Sequence, residues 1–315
     1  TGIPAGKIFT DSPCKSRNKD LSMAIIDEIK ASFKSGSTLT RLIYINLAVF
    51  VIVNLVEVFY FLLNKHTSYP NFLLLFAVPA DIGQLASRPW SIVTYMFLHK
   101  NFLHILFNLL WLYWFGRVFL EYLDSKKLVG VYLLGGLSGA ILYIAAFNLF
   151  PVFSQQLGLS YALGASASVM AVVIAIAAYV PNYTMHLLFI GRVKIIYIAV
   201  IGFLITTVFD FSINTGGKIA HIGGGLFGYL YILRYKQGKD MTRGINRLLE
   251  GLFSLFRPKP KIRVTHRNTR SDLDYNARKV DEQKEVDRIL DKIAKSGYSS
   301  LSNQEKEILF RQSKK

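Results

Sequence analysis

Six long apolar runs dominate this chain, at roughly 40–63, 94–116, 128–150, 160–180, 195–213 and 219–234. About 20 apolar residues in a helix span the hydrocarbon core of a bilayer. One such run is compatible with a buried helix of a soluble domain. Six in 315 residues, with a mean hydropathy of +0.33, are not. Backbone polar groups in lipid must be satisfied within their own segment, so each run is expected to be a helix. The expected fold is therefore all-α: a polytopic membrane protein with six transmembrane helices.

Charge orients the bundle. The chain carries a net +17, concentrated on one side of the spans. Arg117, Lys126 and Lys127 follow the second run, and Arg192 and Lys194 follow the fourth. Eleven Lys/Arg against two acidic residues lie between Arg234 and Arg270. The opposite loops are poor in charge, with Lys218 alone before the sixth run. The positive-inside rule puts both termini in the cytoplasm. The basic excess reads as topology and attraction to anionic membrane lipids. No aromatic-studded basic platform accompanies it, so nucleic acid is not an expected partner.

The spans are expected to occupy 39–235. Before them, 1–38 is read as a cytoplasmic segment; within it, 1–22 are polar and patternless. Met23 opens an amphipathic stretch, so 1–22 read as an upstream extension. Residues 64–93, with Pro70, Pro79 and Trp90, are too broken by proline to span and are expected along the outer leaflet. The third run is rich in small residues, which let helices approach closely. Residues 236–315 read as a basic cytoplasmic tail ending in a helical hairpin. Val286, Ile289, Leu290 and Ile293 recur at helical spacing, Gly297 suits a helix end, and Ser302 with Glu305 matches a capping box. The lone Cys14 excludes an intrachain disulfide and a Cys-rich metal site.

Polar residues inside lipid are costly and mark function. His104 and Asn108 lie early in the second run, Ser166 early in the fourth and His221 early in the sixth. Even-numbered spans run in the same direction, so all four share one depth. A serine needs a base to act as nucleophile, and His221 is the available imidazole. Gly224 and Gly228 form a small-xxx-small pair that would bring span six against span four. His104 and Asn108, four apart, share a helix face and can point donors at one oxyanion, with the Ser166 N–H as a third. His99 is out of phase with His104 and reads as structural. No His-Glu-x-x-His is present, so no metal site is expected, and no cofactor. An aspartyl mechanism needs two facing aspartates, and Asp210 is the one clear candidate within a span.

These residues resemble the rhomboid family of intramembrane serine proteases. The likeness runs from about Arg41 to Tyr235, through Phe97-Leu98-His99, His104 to Asn108, Gly164-Ala165-Ser166, and Ala220-His221 with Gly224 and Gly228. It implies a Ser166–His221 dyad without an aspartate, and an oxyanion hole lined by His104 and Asn108. It further implies single-span membrane proteins as substrates, span five with Phe209 and Asp210 as a gate, and a bacterial cytoplasmic membrane. Four positions depart from the usual pattern. Ala167 replaces a glycine, Met170 an aromatic that packs on the histidine, Ser91 the arginine after tryptophan, and Asp124 a glycine. None removes a reacting atom. The rival expectation is a catalytically silent rhomboid-like protein that binds transmembrane helices; a transporter ranks below it, lacking inverted repeats. Substrate identity and oligomeric state are not legible in the sequence.

Overall fold

The computed structural model describes residues 33, 36–65, 68–187, 190–209, 214–256 and 269–312. Residues 1–32, with Cys14 and Met23, and Asp210 lie outside the described residues. The chain divides into two compact units, Thr1–Phe256 and Arg257–Lys315.

The first unit is built on six main helices. α1 is Thr38–Leu62. Three short helices follow: α2 (Tyr69–Leu74), α3 (Ile82–Ser87) and α4 (Ser91–Thr94). Then come α5 (Phe102–Tyr122), α6 (Ser125–Leu149), α7 (Ser166–Tyr179), α8 (Ile195–Thr207) and α9 (Thr215–Lys236). α1, α5 and α6 are long and apolar enough to cross a membrane; α7 and α8 are apolar but shorter. α9 is long enough, and its glycine-rich first half makes it less apolar. Two short antiparallel ribbons interrupt the helices. β1 (Val78–Pro79) pairs with β2 (Tyr161–Ala162), and β3 (Thr184–Leu187) with β4 (Gly191–Lys194).

Side-chain caps fix where helices start. Ser37 Oγ accepts from the Thr40 N–H at 3.2 Å, and Asp124 Oδ1 from the Lys127 N–H at 2.9 Å. The second helix begins at Phe102, later than its apolar run. Residues 95–97 are a 3₁₀ turn, and Tyr95, Met96 and His99 are buried in protein. Tyr95 and Met96 are apolar because they fill the core. The fourth helix likewise starts at Ser166, because 161–162 are in the ribbon and Gly164 holds φ +130.

α6, α7 and α9 make the centre, where small residues let the backbones approach. Gly135 faces Ala171, Gly139 faces Ala167, and Ser138 Oγ donates to the Gly223 carbonyl at 3.0 Å. α1 and α8 are peripheral: Ile52, Leu55, Phe59, Tyr197, Ile201 and Ile205 are all exposed. Apolar faces of this extent suit lipid rather than water. α8 buries one stripe, Ile195, Ala199 and Gly202, and the Trp111 ring of α5 lies against Gly202. Buried Asn46 of α1 donates to the Tyr132 hydroxyl of α6 at 3.1 Å, and the Tyr132 hydroxyl lies 3.2 Å from the Met96 carbonyl. This network ties α1 and the 3₁₀ turn to the core.

The segment between α1 and α5 is pinned by its own polar groups. Arg88 donates to the Leu74 carbonyl (2.7 Å) and to Gln84 Oε1 (2.8 Å), and the Trp90 indole to the Leu75 carbonyl (2.9 Å). Leu73, Ala77, Val78 and Ala80 are buried beneath it. After α9 the chain turns at Gly238 and forms α10 (Arg243–Phe256), an amphipathic helix within the first unit. Thr242, just before it, is fully buried against Gly130 of α6.

The second unit holds α11 (Thr269–Ser296) and α12 (Asn303–Gln312), joined at Gly297 with φ +74. Ile289 and Leu301 are its buried contacts. The Ser302 N–H donates to Glu305 Oε2 at 2.8 Å, and the Glu305 N–H to Ser302 Oγ at 3.3 Å, forming a capping box. That backbone bond and the Lys292 ammonium at 3.0 Å hold the Glu305 carboxyl down to about 2, from an ordinary 4.5. A depressed carboxyl stabilises the folded form above its unfolded value and loses that contribution as pH falls through the folded one. The order of α12 is therefore expected to hold above pH 4.5 and to weaken between 4.5 and about 2. Glu305→Gln should remove that acid-dependent step. Amide NMR signals of α12 followed across this range check it.

Candidate active site

Four helices converge on one cavity of about 240 Å³. α5 supplies His104 and Asn108, α7 supplies Ser166 and Met170, α8 supplies Thr206 and α9 supplies His221. Leu103, Phe107, Trp111 and Val169 complete the wall. The structure thus brings Ser166, His221, His104, Asn108 and Met170 to one place. His99, Gly164, Gly224 and Gly228 stand behind it.

Ser166 is the first residue of α7, so its backbone N–H is one of the four that an α-helix leaves without an internal partner. The turn before it is fixed from both sides. The Gly164 N–H donates to the Tyr95 carbonyl at 2.9 Å, and the Ala165 N–H to His99 Nε2 at 3.3 Å. His99 Nδ1 lies 3.3 Å from the Phe97 carbonyl. These two bonds require Nδ1–H as donor and a bare Nε2 as acceptor, which defines the tautomer of this fully buried imidazole. His99 therefore positions the serine turn and does not line the cavity. Its ring meets His104 edge-on, with centroids 5.2 Å apart.

Gly164 has two reasons to be glycine. Its φ of +130 disfavours any L side chain, and a Cβ there would stand 2.8 Å from His104 Cε1. Gly164→Ala is expected to destabilise the protein by about 1–3 kcal/mol and to displace both His104 and the serine turn. Thermal unfolding, together with the activity proposed below, measures the two effects.

His221 sits in the second turn of α9. The glycines after it set its distance from the serine helix. A Cβ on Gly224 would overlap the Ala167 carbonyl, and one on Gly228 the Ala171 carbonyl. α9 therefore lies backbone to backbone on α7. The Ala167 methyl packs towards Gly139 of α6 and is absent from the cavity wall, so it does not narrow the space beside Ser166.

Among the described residues no hydrogen bond joins Ser166 to His221, and His221 Nδ1 is buried without a partner. The expected bond of about 3 Å is not formed in this state. The shared wall leaves the two groups facing one space. Asn108 Nδ2 donates to the His104 carbonyl one turn earlier, at 2.8 Å. A carboxamide has two N–H donors, so one remains for a ligand. Among the described residues no cluster of three or more His, Cys, Asp or Glu side chains is gathered to hold a metal ion.

Sequence reasoning did not single out the apolar wall or Tyr95. The wall had a signal: Leu103, Phe107 and Trp111 repeat every four residues beside His104 and Asn108, which puts them on one face of α5. Tyr95 had none. It is buried, its hydroxyl donates to the Gly136 carbonyl at 2.6 Å, and its carbonyl holds Gly164.

The cavity is framed by a serine at a helix start, a histidine on a glycine-lined helix and a His/Asn pair. Residues 86–237 match the family model of the Rhomboid domain. The chain thus carries a rhomboid domain, and its fold is a helical membrane bundle in an integral membrane protein. Residues 271–315 match a second model, Family of unknown function (DUF6576). A comparison with curated proteins found no match.

Proposed function

We propose that this protein is an intramembrane serine endopeptidase that cuts transmembrane or juxtamembrane segments of other membrane proteins. The observation that carries this reading is the shared cavity of Ser166, His221, His104 and Asn108 inside a rhomboid domain. His221 takes the Ser166 proton as the hydroxyl attacks the substrate carbonyl. The oxyanion that forms is met by His104, by the second N–H of Asn108 and by the Ser166 N–H at the positive end of α7. His221 then passes the proton to the leaving amine, and water repeats the sequence on the acyl-enzyme. Substrate contact closes the Ser166–His221 hydrogen bond, as catalytic bonds often tighten on binding.

The apolar wall of Leu103, Phe107 and Trp111 suits a substrate segment arriving from lipid. Single-span proteins are the proposed substrates, with membrane lipids as the surrounding partner. By the distribution of Lys and Arg, both termini lie in the cytoplasm, and a bacterial inner membrane is the proposed location. Incubation of purified wild-type and Ser166→Ala protein with tagged single-span substrates in liposomes tests the reading. Cleavage by the wild type alone is expected; cleavage by both overturns the assignment.

A second reading has one observation in its favour. An unbonded Ser166 and His221 also suit a silent member that binds transmembrane helices without cutting them. A serine-directed fluorophosphonate separates the two, because an inert binder stays unlabelled.

A further inference from the structure

The end of the bundle remote from Ser166 has a site of a different kind. Two adjoining hollows, of about 600 and 190 Å³, share Lys127, Asp240 and Arg243. Tyr179, Tyr235 and Lys236 border the first, and Lys126 and Arg247 the second.

The acidic groups there are already engaged. Asp124 caps α6 and pairs with Lys127. Glu250 takes Lys126 at 2.7 Å. Asp240 Oδ1 accepts from the Thr242 N–H at 2.9 Å and from its hydroxyl at 2.6 Å. Lys236 rests on the Ala178 carbonyl at 3.0 Å and over the Tyr179 ring. Among the described residues Lys236, Arg243 and Arg247 take part in no ion pair. Lys236 and Arg243 border the first hollow and Arg243 and Arg247 the second, so these three cations outnumber Asp240, the carboxylate there whose bonds come from neutral donors, beside two tyrosines at the ends of α7 and α9.

The helix that brings Arg243 and Arg247 has a second property. In α10, Arg243, Asn246, Arg247 and Glu250 fall on one side of the helical wheel, and Ile245, Leu248, Leu249 and Leu252 on the other. Leu248 is 58% exposed and Leu252 49%. A helix of this pattern lies in a membrane–water interface with its apolar side in the acyl region. α10 starts seven residues after α9 ends at Lys236, so it stays at the level of the membrane surface. Thr242 fixes it there: a Cβ on Gly130 would stand 2.7 Å from Thr242 Cγ2.

We propose that this pocket binds the phosphodiester of an anionic phospholipid in the adjoining leaflet. Lys236, Arg243 and Arg247 meet the phosphate, the Gly244 and Ile245 N–H groups in the first turn of α10 add to them, and the apolar side of α10 lies among the acyl chains. The inference needs the membrane bundle but not the proteolytic reading.

The test uses the full-length protein in detergent, with phosphatidylglycerol, phosphatidylcholine or inorganic phosphate added and thermal unfolding followed. Phosphatidylglycerol is expected to raise the unfolding temperature saturably; phosphatidylcholine and inorganic phosphate are not. Each cation removed should weaken phosphatidylglycerol binding about fivefold. The triple variant Lys236→Gln/Arg243→Gln/Arg247→Gln should weaken it roughly a hundredfold. If the triple variant does not fold, the single Arg243→Gln carries the test at about fivefold. Lys236→Arg/Arg243→Lys/Arg247→Lys, which keeps the charge, should retain binding. An equal effect of phosphatidylcholine, the same shift with inorganic phosphate, or undiminished binding by the glutamine variants would each overturn the proposal.

Discussion

Ser166→Ala is expected to lower substrate cleavage by about 10⁴–10⁶-fold, with no loss of fold. The hydroxyl is the proposed nucleophile; the other hydroxyl on the cavity wall, that of Thr206, is held by the Gly202 carbonyl at 2.8 Å in its own helix. Ser168, two residues after Ser166, is 1% exposed, and its Oγ points at Gly136 and Met96 rather than into the cavity. Removing one oxygen from a cavity wall leaves no buried partner unsatisfied, so the unfolding temperature should stay within a few degrees. Turnover by purified variant and wild type, with thermal unfolding measured on the same preparations, gives both numbers. Retained turnover would exclude Ser166 as nucleophile.

Gly224→Val is the second large effect, and it arises without touching a reacting atom. The new Cβ would overlap the Ala167 carbonyl, which is backbone and cannot swing aside. α9 must then separate from α7. His221 lies three residues before Gly224, so it moves with the contact. Overpacking of this kind costs about 1–3 kcal/mol, and a shift of about 1 Å between reacting groups costs about 100-fold in rate. Gly228→Val meets the Ala171 carbonyl one turn further from His221. It should destabilise similarly and impair activity less. Gly251→Ala in α10, where nothing lies within 4 Å, is the control and should leave both unchanged. An active, stable Gly224→Val protein would show that close approach of α9 to α7 is dispensable.

The class of fold was legible because hydropathy alone decides it. α1 and α6 fall within a few residues of their apolar runs, since lipid rewards uninterrupted apolar length. The second and fourth runs misled at their starts for a shared reason. Residues 95–98 and 161–165 are apolar because protein covers them, not lipid. Hydropathy cannot separate those two environments. α10 went unseen because its apolar residues are spaced over two turns of a basic segment, where composition outweighs period. The chemistry of the cavity was readable as residue types at a common depth. The pairings that hold it were not: His99 meets Ala165 across 66 positions, and Asn46 meets Tyr132 across 86. No local pattern encodes contacts of that separation.

The central claim is that Ser166 is an activated alcohol and His221 the group that activates it. Reaction of the purified protein in liposomes with a fluorophosphonate, followed by peptide mapping, reads this directly. The account predicts a single adduct on Ser166 in the wild type and none in His221→Ala. An unlabelled wild type, or equal labelling without the imidazole, would contradict it.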